Sequence, residues 1–112
     1  MEAVARSRYV RISPQKLRLV CALVAGKKVD QALSILEFTP KKGAKIVSKV
    51  LLAAIANARD QQNLDEDKLF VKRALADTGA TWKRSMQRAH MHSTPILKRT
   101  SHLTVIVDEQ AS

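Results

Sequence analysis

LFVKRALADTGATWKRSMQRAHMHSTPILKRTSHLTVIV, residues 69–107, sets two strand-like runs on either side of a stretch that neither a loop nor a helix accommodates. The runs are LFVKRALAD at 69–77 and LTVIV at 103–107, and β-branched residues dominate the second. Residues 78–102 between them are too long for an ordinary connection inside a compact domain. They also lack apolar residues at the three-and-four spacing of a helix. Both facts are met if the flanking strands pair and run outward together as a long hairpin over about 78–102. Each arm then reaches roughly 35 Å at ~3.3 Å per residue. A two-stranded ribbon is marginal alone in water, so this one needs a partner around it to be rigid.

The rest of the chain has to supply the core. With 112 residues it fits one domain, residues 1–112, and only four residues are aromatic. Ala, Val, Leu and Ile must therefore fill the interior, which suits thin helices on a small sheet. Residues 4–12, VARSRYVRI, read as a strand with Arg6 and Arg8 on one face and Tyr9 and Arg11 on the other. Ser13 and Pro14 read as an N-cap and first helical position. Leu17, Val20, Cys21 and Val24 form one helical stripe, while Leu19 and Leu23 fall opposite, so this helix is expected between two apolar layers. Gly26 is its expected stop. Asp30 reads as the cap of a short helix, QALSILEF, and Thr39-Pro40 as the start of another. Val47, Val50, Leu51, Ala54, Ile55 and Ala58 make the third helix the clearest element, with Lys42, Lys45 and Lys49 as a ridge on another side. It should fade near Gln62 and Asn63, before an acidic loop.

Charge points to the partner. Twenty Lys and Arg face ten Asp and Glu, a net charge of +10. The basic residues are grouped. From Ala3 to Val29 lie Arg6, Arg8, Arg11, Lys16, Arg18, Lys27 and Lys28, with no acid; from Thr78 to Val107 lie Lys83, Arg84, Arg88, Lys98 and Arg99, again with no acid. All three histidines, His90, His92 and His102, fall in the second window. A solvated surface does not require acid-free windows over half a chain, whereas a bound phosphate backbone does. Trp82 beside Lys83 and Arg84 either stacks on an exposed base or packs on the protein's own surface.

Other chemistries lack their residues. His90 and His92 have no accompanying Cys, Asp or Glu to complete a zinc site, so no metal is expected. None of the phosphate-cradling glycine motifs or the nucleophile elbow occurs among three glycines, and no carboxylate stands in the basic windows as a general base. The chain therefore reads as a non-enzyme without cofactors. A small ribonuclease using His90 and His92 rests on those two residues alone. A single cysteine fits a reducing compartment. Neither a secretory leader nor an apolar run of membrane length is visible, so cytoplasm is the expectation and no membrane partner is.

SPQKLRLV at 13–20, GKKVDQALSIL at 26–36, AIANA at 54–58 and above all ILKRTSHLTVIV at 96–107 resemble the L-twenty-two family of bacterial large-subunit ribosomal proteins. The resemblance runs from about Arg8 to Val107. It implies an α+β fold: three helices packed on a small three-stranded antiparallel sheet, with a long protruding β-hairpin. It implies a structural constituent that binds large-subunit ribosomal RNA, supports its assembly, and touches neighbouring proteins including ribosomal protein L four, with no homo-oligomer. The hairpin is implied to line the nascent-peptide tunnel through Trp82, Lys83, Arg84, Arg88, Ala89, His90 and Met91, with Lys98, Arg99 and His102 on the returning arm and its base. The sequence leaves the family at AHMHSTP, where a glycine flanked by cations is usual and His90, Met91 and His92 stand instead. The tip's charge is therefore expected to vary with pH. A DNA-bending protein with basic β-arms is the nearest rival, but its wedge residue would be Pro95, late on the returning arm.

Overall fold

LTVIV forms the middle of the sheet, where both strand edges are paired and both faces of the register are fixed. The computed structural model describes residues 2–87 and 93–109. In chain order the elements are β1 (Glu2–Val10), α1 (Pro14–Val24), α2 (Val29–Glu37), α3 (Lys42–Gln62), a 3₁₀ turn at Glu66–Lys68, β2 (Leu69–Gln87) and β3 (Ser93–Glu109). The sheet order is β1-β3-β2, antiparallel throughout. This is the expected α+β arrangement of three helices on three strands.

The helices cover one face of the sheet. Alternate residues point into that layer: Ala3 and Ala5 from β1, Leu69, Val71 and Ala76 from β2, and Leu103, Val105 and Val107 from β3. α3 lies over β1 and β3, α1 lies over β2, and α2 bridges α1 and α3. The predicted stripes of α1 and α3 are all buried, with Leu17, Val47, Leu51, Ala54 and Ala58 fully so. Burying a leucine or valine side chain stabilises by about 1.5–3 kcal/mol, and these small residues let the helices sit close. Gly43 shows how close: a Cβ there would stand 3.3 Å from Val20 and 3.4 Å from Leu17.

β2 and β3 continue past the core as the ribbon. Their pairing runs from Thr81 opposite Arg99 to Gln87 opposite Ser93. The molecule measures 67 × 27 × 17 Å with a radius of gyration of 17.2 Å, against about 13 Å for a compact chain of ~100 residues. Residues 88–92, on which the pH-sensitive tip was expected, lie outside the described residues.

Four local expectations fail for physical reasons. α1 is not sandwiched: Leu19 is 56 % and Leu23 42 % exposed, because no layer exists on that side. Asp30 does not cap α2; Lys28 holds the cap position, Val29 is buried at the first helical position, and Asp30 sits in the first turn, near the helix's positive end. Thr39 does not cap α3, because its hydroxyl donates to the Ile35 carbonyl at 2.6 Å and closes α2, leaving Lys41 at the cap position. The strict alternation of Arg6, Arg8, Tyr9 and Arg11 is broken, since Tyr9 adopts φ 57° and β1 ends at Val10. The remaining termini follow the sequence: Ser13 precedes Pro14 at the start of α1, though its side chain makes no capping bond, and Gly26 at φ 78° ends it.

Burial on the α1 stripe pushes the Cys21 thiol up to about 11. A thiol near its ordinary value of about 8.5 in the unfolded chain ionises first there. Its contribution to stability is therefore complete below about pH 8.5 and is lost as pH rises through about 11. At pH 8 a maleimide should leave native Cys21 unmodified and label it fully in denaturant; rapid native labelling would contradict the burial.

Candidate nucleic-acid interface

All the first-window cations are exposed, but the fold does not gather them into one patch. α1 runs from the foot of the ribbon to the opposite end of β2. Ile12, just before α1, receives the Ser101 hydroxyl at the foot, whereas Gly26 and Lys27, just after it, exchange backbone bonds with Val71 at 2.8 Å. Lys16 and Arg18 thus lie toward the foot. The Arg18 Nε donates to the Ala76 carbonyl at 3.0 Å, which anchors the guanidinium where β2 leaves the core. Arg8 sits opposite His102, and Arg11 follows Val10, which pairs with Ser101. Lys27 and Lys28 stand beside Phe70 and Val71, five residues down the strand and roughly 16 Å from Ala76. Arg6, opposite Thr104, lies between.

α3 brings cations that sequence reasoning left out of the site. Its first turns pack against Ile12 and Leu17 through Gly43, and its last residue, Gln62, donates to the Glu2 carbonyl at 2.7 Å. The helix is therefore parallel to α1, with its N-terminus toward the foot. Lys41, Lys42 and Lys45 are exposed on that end and no acid occupies the first turn. Cations beside a helix N-terminus oppose the macrodipole by typically 0.3–1 kcal/mol each. The signal was present, since no acid occurs from Phe38 to Arg59. It was hidden because a lysine ridge on a helix ordinarily reads as solvated surface.

The foot is thus a collar of Arg8, Arg11, Lys16, Arg18, Lys41, Lys42 and Lys45, joined by two helix N-termini whose free N–H groups also favour anions. Arg6, Arg8, Lys16, Lys27, Lys28 and the α3 lysines make no ion pair among the described residues. The acids collect at the far end. Glu2, Asp60, Asp65, Glu66, Asp67, Asp108 and Glu109 all lie where β1 begins and α3 and β3 finish. There Arg59 pairs with Asp60 at 3.0 Å and approaches Glu66 at 4.0 Å, and Lys72 pairs with Glu2. The Asp60 hydrogen bond and charge hold the Arg59 guanidinium above its ordinary range. Asp77 lies on the foot side, opposite His102, and Glu37 closes α2 four residues before Lys41.

The ribbon carries the second window away from this collar. Trp82 pairs with Lys98, Lys83 with Leu97, Arg84 with Ile96, and Arg99 with Thr81. Arg88, Ala89, His90, Met91 and His92 lie outside the described residues. His102 is half-buried rather than free, because its Nδ1 accepts the Tyr9 backbone N–H at 3.2 Å. No cluster of His, Cys, Asp or Glu that could hold a metal occurs among the described residues.

The arrangement has relatives. A family model described as ribosomal protein L22p/L17e matches residues 5–108. The chain is 53 % identical over 110 residues to large ribosomal subunit protein uL22 of Thermoanaerobacter sp. (strain X514), covering 98 % of this chain and 99 % of that one. It is 52 % identical over 109 residues to the protein of the same name from Maridesulfovibrio salexigens, covering 97 % and 99 %. It is 48 % identical over 110 residues to that of Clostridioides difficile, covering 98 % and 99 %.

A polyanion on the collar gives a graded test. Log affinity for structured ribosomal RNA should fall linearly with log salt, and Arg8→Ala or Lys42→Ala should each reduce the slope by about 0.7–0.9, one phosphate contact's worth. Arg59→Ala, at the acid end, should leave the slope unchanged. Equal effects at both ends would contradict the collar.

Proposed function

The chain belongs to the ribosomal protein L22p/L17e family, and from that membership we propose that it binds large-subunit ribosomal RNA through the collar and the ribbon. The family is one of ribosomal structural proteins rather than enzymes, so the chain is a structural constituent of the large ribosomal subunit, at work in the cytoplasm. The finer reading has three parts. The collar and helix N-termini neutralise phosphates of folded RNA and support its assembly. The ribbon threads between RNA helices and presents residues 82–91 to the nascent-peptide tunnel. Ribosomal protein L four is its protein neighbour there, and the emerging peptide passes along it.

The observation that carries this reading is the separation of charge along the long axis. Cations occupy the foot and the ribbon arms, while seven of the ten acids gather at the opposite end with the ion-paired Arg59 and Lys72. A protein with one end buried in RNA and the other turned outward gains from that layout, because every acid in the RNA would meet like charge. At the acid end Arg59 and Lys72 pair with Asp60 and Glu2, and the excess of acids there would repel a polyanion. Phosphate neutralisation also explains why lysines are tolerated at the start of α3, where they weaken the isolated helix.

Arg and Lys divide the work. Arg8, Arg11 and Arg18 stand where the ribbon leaves the core, and a guanidinium offers a planar fork to phosphate and a flat face to bases. Lys41, Lys42 and Lys45 act as mobile point charges on the helix end. Trp82 stands opposite Lys98 in the register and precedes Lys83 and Arg84 in sequence, and under this reading it stacks on an unpaired base.

Replacing residues 81–99 with a short turn separates the parts. The trimmed chain should melt cooperatively, because Leu69, Val71, Ala76, Leu103, Val105 and Val107, which bury against the helices, all lie outside that segment. It should still co-sediment with large-subunit RNA at low salt through the collar, but with a shallower salt slope, and it should fail to remain on subunits through a high-salt gradient that the full chain survives. Retention equal to that of the full chain would show that the ribbon contributes no binding.

A further inference from the structure

Thr100 and Ser101 are buried polar residues at the foot of the ribbon, 1 % and 0 % exposed, and His102 is half-buried beside them. Both neighbouring strands bulge against this triplet. Between Ser7 opposite Leu103 and Val10 opposite Ser101, two residues of β1, Arg8 and Tyr9, face His102 alone. Between Thr78 opposite Ser101 and Thr81 opposite Arg99, two residues of β2, Gly79 and Ala80, face Thr100 alone. A bulge bends its strand and increases the local twist, so two bulges around three consecutive residues of the central strand concentrate bending there.

Each bulge is held by a specific contact. Tyr9 adopts φ 57°, a conformation that is rare for a bulky aromatic residue. Its N–H donates to the His102 Nδ1 at 3.2 Å, and the two rings meet edge to face with centroids 5.0 Å apart. Accepting at Nδ1 requires the neutral imidazole with its proton on Nε2. Ser101 reaches past the end of β1 and donates to the Ile12 carbonyl, fixing the turn into α1. On the other side Gly79 permits close approach: a Cβ there would stand 2.6 Å from the Thr100 Oγ1 and 3.3 Å from both the Thr100 carbonyl carbon and the His102 Cε1. Arg18, bonded to the Ala76 carbonyl, braces β2 just before this point.

We propose that Thr100, Ser101 and His102 form a pivot that aims the ribbon relative to the helical layer, with His102 as a positioning residue acting through the backbone of Tyr9. The triplet is then a geometric device rather than part of the RNA-contacting surface, and the neutral imidazole is its working form. That direction matters to function under the proposed RNA-binding role, but the pivot is a property of the free chain. Loss of the His102 acceptor frees Tyr9 from its left-handed conformation and lets β1 swing away from the foot. The ribbon then samples a wider cone without the core coming apart, because Leu103, Val105 and Val107 remain packed under α1 and α3.

The test uses the full chain without RNA, spin-labelled at Leu52→Cys on α3 and at Thr81→Cys, the first paired residue beyond the Gly79 bulge, so that fraying of the outer arms does not reach the label, with buried Cys21 unlabelled. Pulsed dipolar spectroscopy should give one narrow distance distribution for the otherwise unaltered chain. His102→Ala should at least double its width while the melting temperature stays within a few degrees. His102→Asn, whose side-chain oxygen can replace Nδ1 as acceptor, should restore the narrow distribution. Gly79→Ala should displace the mean distance. If His102→Ala does not fold, Ser101→Ala serves in its place and should broaden the distribution. Unchanged width in these variants, no recovery with His102→Asn, or a distribution already broad in the parent chain would overturn the pivot. Adding large-subunit RNA to the parent chain tests the other reading separately, since a failure to bind leaves the distances in the free chain as they are.

Discussion

Everything in this fold depends on β3 being paired on both sides. It is the one strand with two neighbours in the sheet, and it belongs to the core and the ribbon at once. Leu103, Val105 and Val107 bury their side chains under the helices at 0–1 % exposure, and this fixes the register of the whole sheet. A slip of one residue would turn that apolar set to the open face. The core register therefore carries into the ribbon, whose arms have no helical layer to set it for them. The bulges at Arg8 and Tyr9, at Gly79 and Ala80, and at Lys72 absorb the mismatches in the two outer strands and leave β3 without one.

Helix direction then distributes the charge. α1 and α3 both start at the foot, so two helix N-termini and the lysines and arginines near them face the same way. Their C-terminal ends share the far side with most of the acids, and Asn63 in the left-handed conformation closes α3 there. A chain with a net charge of +10 repels itself, and this layout moves the repulsion to the surface that a polyanion would cover. At the other end Lys72 pairs with Glu2 and Arg59 with Asp60, and the acids outnumber the bases.

The sequence made the buried pattern legible and the partner choice of individual polar groups illegible. The stripe from Val47 to Ala58 and the apolar face of α1 follow from periodicity, because burial decides them, and the long pairing of β2 with β3 follows from a segment too long for a loop and without a helical stripe. Leu19 and Leu23 look like a second buried face only if a second layer exists, and spacing carries no information about that. Thr39 and Asp30 have the right chemistry for caps, but the competing acceptor at Ile35 and the buried Val29 decide the boundaries. Likewise the acid-free windows pointed to a polyanion, whereas only the fold shows that Lys27 and Lys28 sit apart from Arg8 and Arg18 and that Lys41, Lys42 and Lys45 join them. Tyr9 and His102, 93 residues apart, could not be paired from sequence at all.

Native-state hydrogen exchange along β3, with and without large-subunit ribosomal RNA, tests the dual role of that strand most directly. In the free protein the amides of Leu103, Val105 and Val107 should exchange only through global unfolding, while those of the paired arms at 93–99 should exchange orders of magnitude faster, as a two-stranded ribbon does in water. Bound to RNA, the arm amides should slow toward the core value. Arms as protected as Val105 in the free chain, or arms that RNA leaves unchanged, would contradict a core-anchored ribbon made rigid by the proposed RNA partner.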